Sequence, residues 1–325
     1  MARARNAQEV AYGAEHLLGS IGKLALNSCS NNISLKEEIM KAEPRQTMET
    51  GKLVVGRVGD KSTVTRCFSK YPLKFIVPTK AGRSVTDSVW IYTLTYGGGI
   101  VSGDCISFDL TIEDGCTAVL TTQASTKVYK SVGLKCSEQT MEARIGSDAI
   151  LVVIPDPVTC FSTARYSQKQ VFKIVPNSSL LIVDWITSGR HESGEKWNFG
   201  LYKSTNHVYL DSKPVFLDTV LLENTSVSSI AERMQDYQVI AMVILLGPKL
   251  TKIQSQIQED VKKMMSEQLH SKTKPSIIAS CSPFGSKGTG VVVRIAATTT
   301  ESVYRFLHHQ LADMEPILGL CPYQF

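Results

Sequence analysis

From Lys52 to about Leu222 the chain alternates as a half-buried strand does. Ile106, Phe108, Leu110 and Ile112 are interleaved with Ser107, Asp109 and Thr111, a period of two that sets one face against a core. The run meets Asp114-Gly115, a tight-turn pair, and a second strand follows over residues 116–122. Comparable turn clusters recur at Gly146-Ser147-Asp148, Pro176-Asn177-Ser178-Ser179 and Asp211-Ser212-Lys213-Pro214, about 30 to 35 residues apart. The segments between them are not alike, so the spacing predicts layered strand pairs and not a sequence repeat. Such strands need stacked sheets whose inner faces close one another.

After Leu222 the pattern changes. Residues 225–235 read as a short helix and residues 239–246 as a buried strand, and Gly247-Pro248 opens a long helix. On that helix Leu250, Ile253, Ile257, Val261 and Met264 share one face, the stripe of a helix packed on a core. Residues 276–280 and 291–296 read as strands. A last helix starts near Thr299, with Thr298 and Glu301 spaced as a capping box and Val303, Phe306, Leu307 and Leu311 as its apolar stripe. No linker marks the change of pattern. The expectation is one domain over residues 48–325, β-rich to residue 222 and α+β beyond, preceded by a poorly ordered extension at residues 1–47. Arg3 and Arg5 open that extension, but Glu9 and Glu15 weaken a transit-peptide reading.

The densest run of unusual residues is 184–197, Asp-Trp-Ile-Thr-Ser-Gly-Arg-His-Glu-Ser-Gly-Glu-Lys-Trp. It begins at the end of the apolar run Leu180–Val183, and two of the three tryptophans bracket it. A solvated loop with two aromatic anchors accounts for it, and so does a functional loop jointed by glycines. It is not the H-E-x-x-H zinc motif, whose helix Gly194 would break.

Composition narrows the classes. The formal charge of +5 over 325 residues is mild and forms no basic stripe of the kind nucleic-acid binding requires. The longest apolar run, residues 239–246, is too short to span a bilayer. The eight cysteines have no C-x-x-C pair, which argues against structural zinc. The expectation is reduced, mostly buried thiols in a cytoplasmic setting, with an N-terminal targeting segment left open.

Four blocks resemble the urease accessory protein D family, called H in some bacteria. They are Tyr96-Gly97-Gly98-Gly99-Ile100-Val101-Ser102-Gly103-Asp104, residues 121–129 (Thr-Thr-Gln-Ala-Ser-Thr-Lys-Val-Tyr), Ile154-Pro155-Asp156-Pro157, and Ser188-Gly189-Arg190 with Ser193-Gly194-Glu195 and Trp197. They occur in the family's order, and the likeness runs from about residue 51 to the C-terminus. It implies a mostly β fold with helically stacked strands, β-helix-like, and two or three helices in the C-terminal third. It also implies a non-catalytic chaperone of urease maturation that docks on apo-urease and on accessory protein F with the GTPase accessory protein G. Nickel would pass through an internal polar passage, with no tightly bound cofactor and Ni²⁺ only in transit.

The residues themselves show no catalytic set. Gly97-Gly98-Gly99 lacks the Gly-Lys-Ser/Thr of a phosphate loop. Asp104 is placed to cap turn amides. The candidates for the passage or its mouth are Asp104, Ser188, Arg190, Ser193 and Glu195, with Arg190 and Glu195 forming either a bidentate pair within it or an ion pair that stiffens the loop. Gly97, Gly98, Gly99, Gly103, Gly189 and Gly194 would supply the backbone turns. Cys160 and His191 are weak candidates for a borderline metal ion, and His270, His308 and His309 read as helix-end residues. The competing class is a hydrolase working from residues 187–197 with Glu195 as general base. A binding module for some other protein is a third.

Overall fold

The computed structural model describes residues 49–78, 86–269 and 274–324. The extension expected at residues 1–47 and the helix-end His270 lie outside them. The chain is mostly β, a solenoid of about four turns with helices in its C-terminal part. It starts with β1 (Gly51–Val58), β2 (Lys61–Ser69), β3 (Leu73–Ile76) and β4 (Ser88–Thr95). The coils continue through β5 (Cys105–Ile112), β6 (Thr117–Thr122), β7 (Thr126–Val128), β8 (Ser137–Ile145), β9 (Ile150–Val153), β10 (Val158–Cys160), β11 (Arg165–Ile174) and β12 (Ser179–Thr187). A hairpin of β13 (Leu201–Leu210) and β14 (Lys213–Glu223) follows. The chain then runs through α1 (Ile230–Met234), β15 (Val239–Leu246), α2 (Thr251–Leu269), β16 (Ile277–Phe284), β17 (Gly290–Ala297), α3 (Thr300–Leu311) and α4 (Glu315–Leu318).

Two sheets face each other, ordered β14-β13-β11-β8-β5-β1-β2 and β16-β17-β15-β12-β9-β6-β4-β3. Strands one coil apart run parallel, so that Cys105 lies opposite Glu138, Ser137 opposite Tyr166 and Arg165 opposite Leu201. The turn spacing read from the sequence is the length of one coil. Hydrogen bonds accordingly join residues 32 to 34 apart, as between Tyr129 and Gly97, Thr121 and Ile154, and Arg165 and Ser131.

One edge of the solenoid carries the tight turns, where the Ser147 amide donates to Asp114 Oδ1. The other carries the return loops. Here β7 pairs with β10, β10 with β12, and Ile100 bridges to Val128, a third, short ladder. The four blocks singled out in the sequence are return-edge segments of successive coils, stacked side by side.

Burial follows from what each face meets. β5 alternates buried and half-exposed positions because only its inner face packs on the opposite sheet. β12 and β15 are buried at every position. Their inward side chains, such as Leu180 and Ile182, join the inter-sheet core. Their outward ones, such as Leu181 and Val243, pack with Ile253 and Ile257 of α2 and Val303 and Leu307 of α3. Strands covered on both faces read as continuous apolar runs.

Three local expectations are corrected. The helix expected over residues 225–235 is only Ile230–Met234, with Ser229 and Glu232 forming its capping box; Thr225 is bonded to Ser228 in a turn, which keeps the earlier residues out of the helix. The last helix is capped by Thr299, whose hydroxyl accepts from the Ser302 amide, and not by Thr298; Glu301 instead pairs with Arg305 one turn on. The thiols are not mostly buried: among the described residues only Cys116 and Cys160 are, while Cys67 and Cys105 are exposed.

Candidate functional site

The inward positions of β12 are Leu180, Ile182, Asp184 and Ile186. Asp184 thus puts a carboxylate into the inter-sheet core, where it is buried. A buried carboxylate needs donors, and four positions on the facing sheet supply them, the Tyr202 hydroxyl reaching Oδ1 at 3.5 Å. Gln168 Nε2 on β11 donates to Oδ1 at 2.8 Å. Asn206 Nδ2 on β13 donates to Oδ2 at 2.7 Å, and the Ser204 hydroxyl donates to the same oxygen. Gln168 Nε2 also donates to Ser204 Oγ at 2.8 Å, and Gln170 Nε2 donates to Asn206 Oδ1 at 3.0 Å. Together they form a polar seam through an otherwise apolar interior.

Burial pushes the Asp184 carboxyl above its usual range. The bonds from Ser204, Asn206 and Gln168 pull it partly back, and the charge of Asp218 adds to the rise. Burial likewise pushes the Tyr166 and Tyr202 hydroxyls up, with the Asp184 charge nearby contributing.

Asp184 separates two cavities. One, about 220 Å³, lies between the sheets and reaches the return edge. Gln139, Gln168 and Gln170 line its floor, and residues 121–127 with Pro155 and Asp156 line its rim. The other, about 50 Å³, lies beyond Asp184 and is lined by Tyr202, Met242 and Arg294 among others; Arg294 pairs with Asp218 at 2.9 Å. The rim is braced from β12 and from the C-terminal elements. The Tyr304 hydroxyl donates to Asp156 Oδ1 at 2.6 Å, and Trp185 Nε1 and the Tyr323 hydroxyl donate to the Pro155 carbonyl at 2.8 and 2.9 Å. The groups that face Asp184 do so as donors, the amide nitrogens of Gln168 and Asn206 and the Ser204 hydroxyl, while the amide oxygens accept from Tyr166 and Gln170.

The segment from Ser188 to Trp197 forms a separate structure beside this seam. The Trp197 amide donates to the Ser188 carbonyl at 2.6 Å and closes the loop. Arg190 meets Glu195 in a fork, Nη2 to Oε1 at 2.5 Å and Nε to Oε2 at 3.2 Å. The Arg190 partner holds the Glu195 carboxyl below its usual range despite burial. The guanidinium stacks 4.1 Å from the centre of the Phe161 ring, and Phe161 meets Tyr129 edge-on at 5.3 Å. The Tyr129 hydroxyl reaches the Gly97 carbonyl at 3.2 Å. Residues from three of the four sequence blocks, with Phe161 between them, are thereby tied into one return-edge face.

None of Asp104, Ser188, Arg190, Ser193 and Glu195 is among the residues lining the two cavities around Asp184. Asp104 accepts from the Val101 amide at 2.8 Å and caps its turn. Ser188 is buried against Gln238, and Ser193 is exposed on a short 3₁₀ turn with His191. Gly97, Gly98, Gly103, Gly189 and Gly194 have positive φ. Gly99 is extended; there a side chain would strike the Lys127 carbonyl at 2.7 Å. Cys160 is buried with its thiol pushed well up by burial. Among the described residues no three His, Cys, Asp or Glu side chains gather as a metal site, Cys160 and His191 included. The seam residues Gln168, Gln170, Ser204 and Asn206 carry no sequence signal of their own. Asp184 does: it is the one charge inside the run Leu180–Ile186.

Comparison with known proteins bears on what this arrangement serves. A family model described as UreD urease accessory protein matches residues 49–323. The chain belongs to the urease accessory protein D family. Urease accessory protein D of Arabidopsis thaliana is 65% identical over 293 residues, spanning 85% of this chain and 100% of that protein. The rice protein of the same name, from Oryza sativa subsp. japonica, is 59% identical over 88% of this chain and 98% of its own length. A bacterial urease accessory protein UreD, from Anaeromyxobacter, is 32% identical over 84% of this chain. Every block that marks the family lies on the return edge, and the Asp184 seam runs beneath it. Among the described residues of this family member, no helix is long and apolar enough to cross a membrane.

Proposed function

We propose that this chain acts in urease maturation as a scaffold with no bond-making of its own. It docks on apo-urease and on accessory proteins F and G, and it passes nickel through its interior by way of Asp184. The observation that carries the passage is the buried carboxylate shared by two cavities, one of which reaches the return edge. Membership of the family supports the urease role. A carboxylate with a raised proton affinity can take a cation by releasing a proton and let it go by regaining one. The neighbouring amides and hydroxyl meet the carboxylate as donors, which leaves a cation few ligands besides Asp184 and suits transit better than storage. Arg190 and Glu195 brace the face beside the mouth. The fork from Arg190 engages the Glu195 carboxylate, which favours a bracing role for it over that of a general base.

The test is Asp184→Asn, assayed for urease nickel content at limiting nickel and for co-elution with the three partners. The expected result is low nickel content with complexes intact. Wild-type nickel content would remove Asp184 from the route, and a turnover measured on the isolated chain would remove the scaffold reading.

A further inference from the structure

The return edge carries a second feature that neither the seam nor the braced loop uses. Between β7 and β8 the chain projects Val132 and Leu134, with 69% and 85% of their surface exposed, beside Val101 at 44% on the neighbouring coil. Solvent-facing aliphatic side chains grouped this way mark an interaction surface. The loop that bears them is held rather than loose. The Val132 amide donates to Ser102 Oγ at 2.8 Å, the Arg165 amide to Ser131 Oγ at 2.8 Å, and Ser137 Oγ to the Val101 carbonyl at 2.9 Å. An apolar tip fixed in advance loses little conformational entropy on docking.

Charge says what fits it. Lys127, Lys130 and Lys135 surround the tip and are exposed, and none of the three forms an ion pair with a described residue. The nearest loop carboxylate, Asp104, is taken up by the Val101 amide. Lys127 also lines the cavity that reaches this edge, so a partner seated on the tip lies against the same edge as the cavity mouth.

We propose that the Val132–Leu134 tip is a docking knob for apo-urease, inserting into an apolar cleft rimmed by carboxylates that pair with Lys127, Lys130 and Lys135. This rests on the reading that the chain hands nickel to urease. A protein cleft suits it better than a lipid surface: two aliphatic side chains on a fixed loop give a pocket-sized contact, too little apolar area for lasting membrane attachment.

The test compares the full wild-type chain with Leu134→Asp and with Lys130→Glu/Lys135→Glu. Val227→Asp, exposed in the connection from β14 to α1, is the control. Binding to purified apo-urease, to accessory protein F and to phosphatidylserine vesicles is measured at low and high salt. The expected result is a Kd for urease at least tenfold higher for Leu134→Asp and unchanged for Val227→Asp. The lysine variant is expected to associate more slowly and with a flatter salt dependence. If wild type and Leu134→Asp bind urease equally, this inference fails while the scaffold reading stands. If the wild type binds no apo-urease, both fail. Loss confined to protein F or to vesicles overturns the assignment of urease as the occupant.

Discussion

Replacing Asp184 by Asn keeps the shape of the side chain and removes its charge, which makes the outcome calculable in sign. The carboxylate accepts from Gln168, Ser204 and Asn206. An amide keeps one acceptor and turns the other position into a donor, so one of those contacts becomes donor against donor. That costs about 1–3 kcal/mol. Against it stands relief of the burial that raises the Asp184 pKa. Because the folded value lies above the unfolded one, the ionised form works against folding. The penalty is absent below the unfolded value of about 3.9 and grows as pH rises through the folded value. The net change at neutral pH is thus small, within about 2 kcal/mol either way, or several degrees in Tm. Asp184→Leu strands four donors, those of Gln168, Tyr202, Ser204 and Asn206, and is expected to lose more. Thermal unfolding from pH 4 to pH 8 is the assay: Tm of Asp184→Asn minus Tm of wild type should increase with pH. A difference flat across that range would falsify the account of a strained, charge-penalised carboxylate.

Three further outcomes are expected. Gly99→Ala places its Cβ 2.7 Å from the Lys127 carbonyl oxygen and 2.9 Å from the Tyr129 ring, so the return-edge ladder must shift at a cost of about 1–3 kcal/mol; an unchanged Tm would show that the coils are not tightly stacked there. Glu195→Gln removes a carboxylate whose pKa Arg190 depresses. That pair stabilises the fold above the ordinary Glu value of 4.5 and its contribution is lost as pH falls through the folded value, so denaturant midpoints of wild type and variant should differ at pH 7 and converge in acid. Ile257→Ala empties a fully buried position between α2 and the second sheet and should cost about 2–5 kcal/mol while leaving urease binding at saturating, folded concentrations unchanged; a loss of binding without a loss of stability would place α2 in an interface.

Much of the architecture was legible along the chain. The alternation of Ile106 to Ile112 and the turns at Asp114, Gly146, Pro176 and Asp211 marked coils, because a strand that is half buried must alternate and a coil must turn. The unbroken apolar runs at Leu180 and Val239 marked the sheet covered on both sides, and the stripes of α2 and α3 marked what covers it. The segments where polar and glycine residues cluster in sequence are the braced return loops. The seam could not be found that way. Gln168, Ser204 and Asn206 lie on other strands and are unremarkable locally, and the one local signal, the charge of Asp184 inside an apolar run, does not say which groups it meets. Only coil stacking and the closing of one sheet on the other bring them within hydrogen-bonding distance. Local periodicity therefore determined which faces are buried, whereas the long-range register of parallel strands decided which buried polar groups meet.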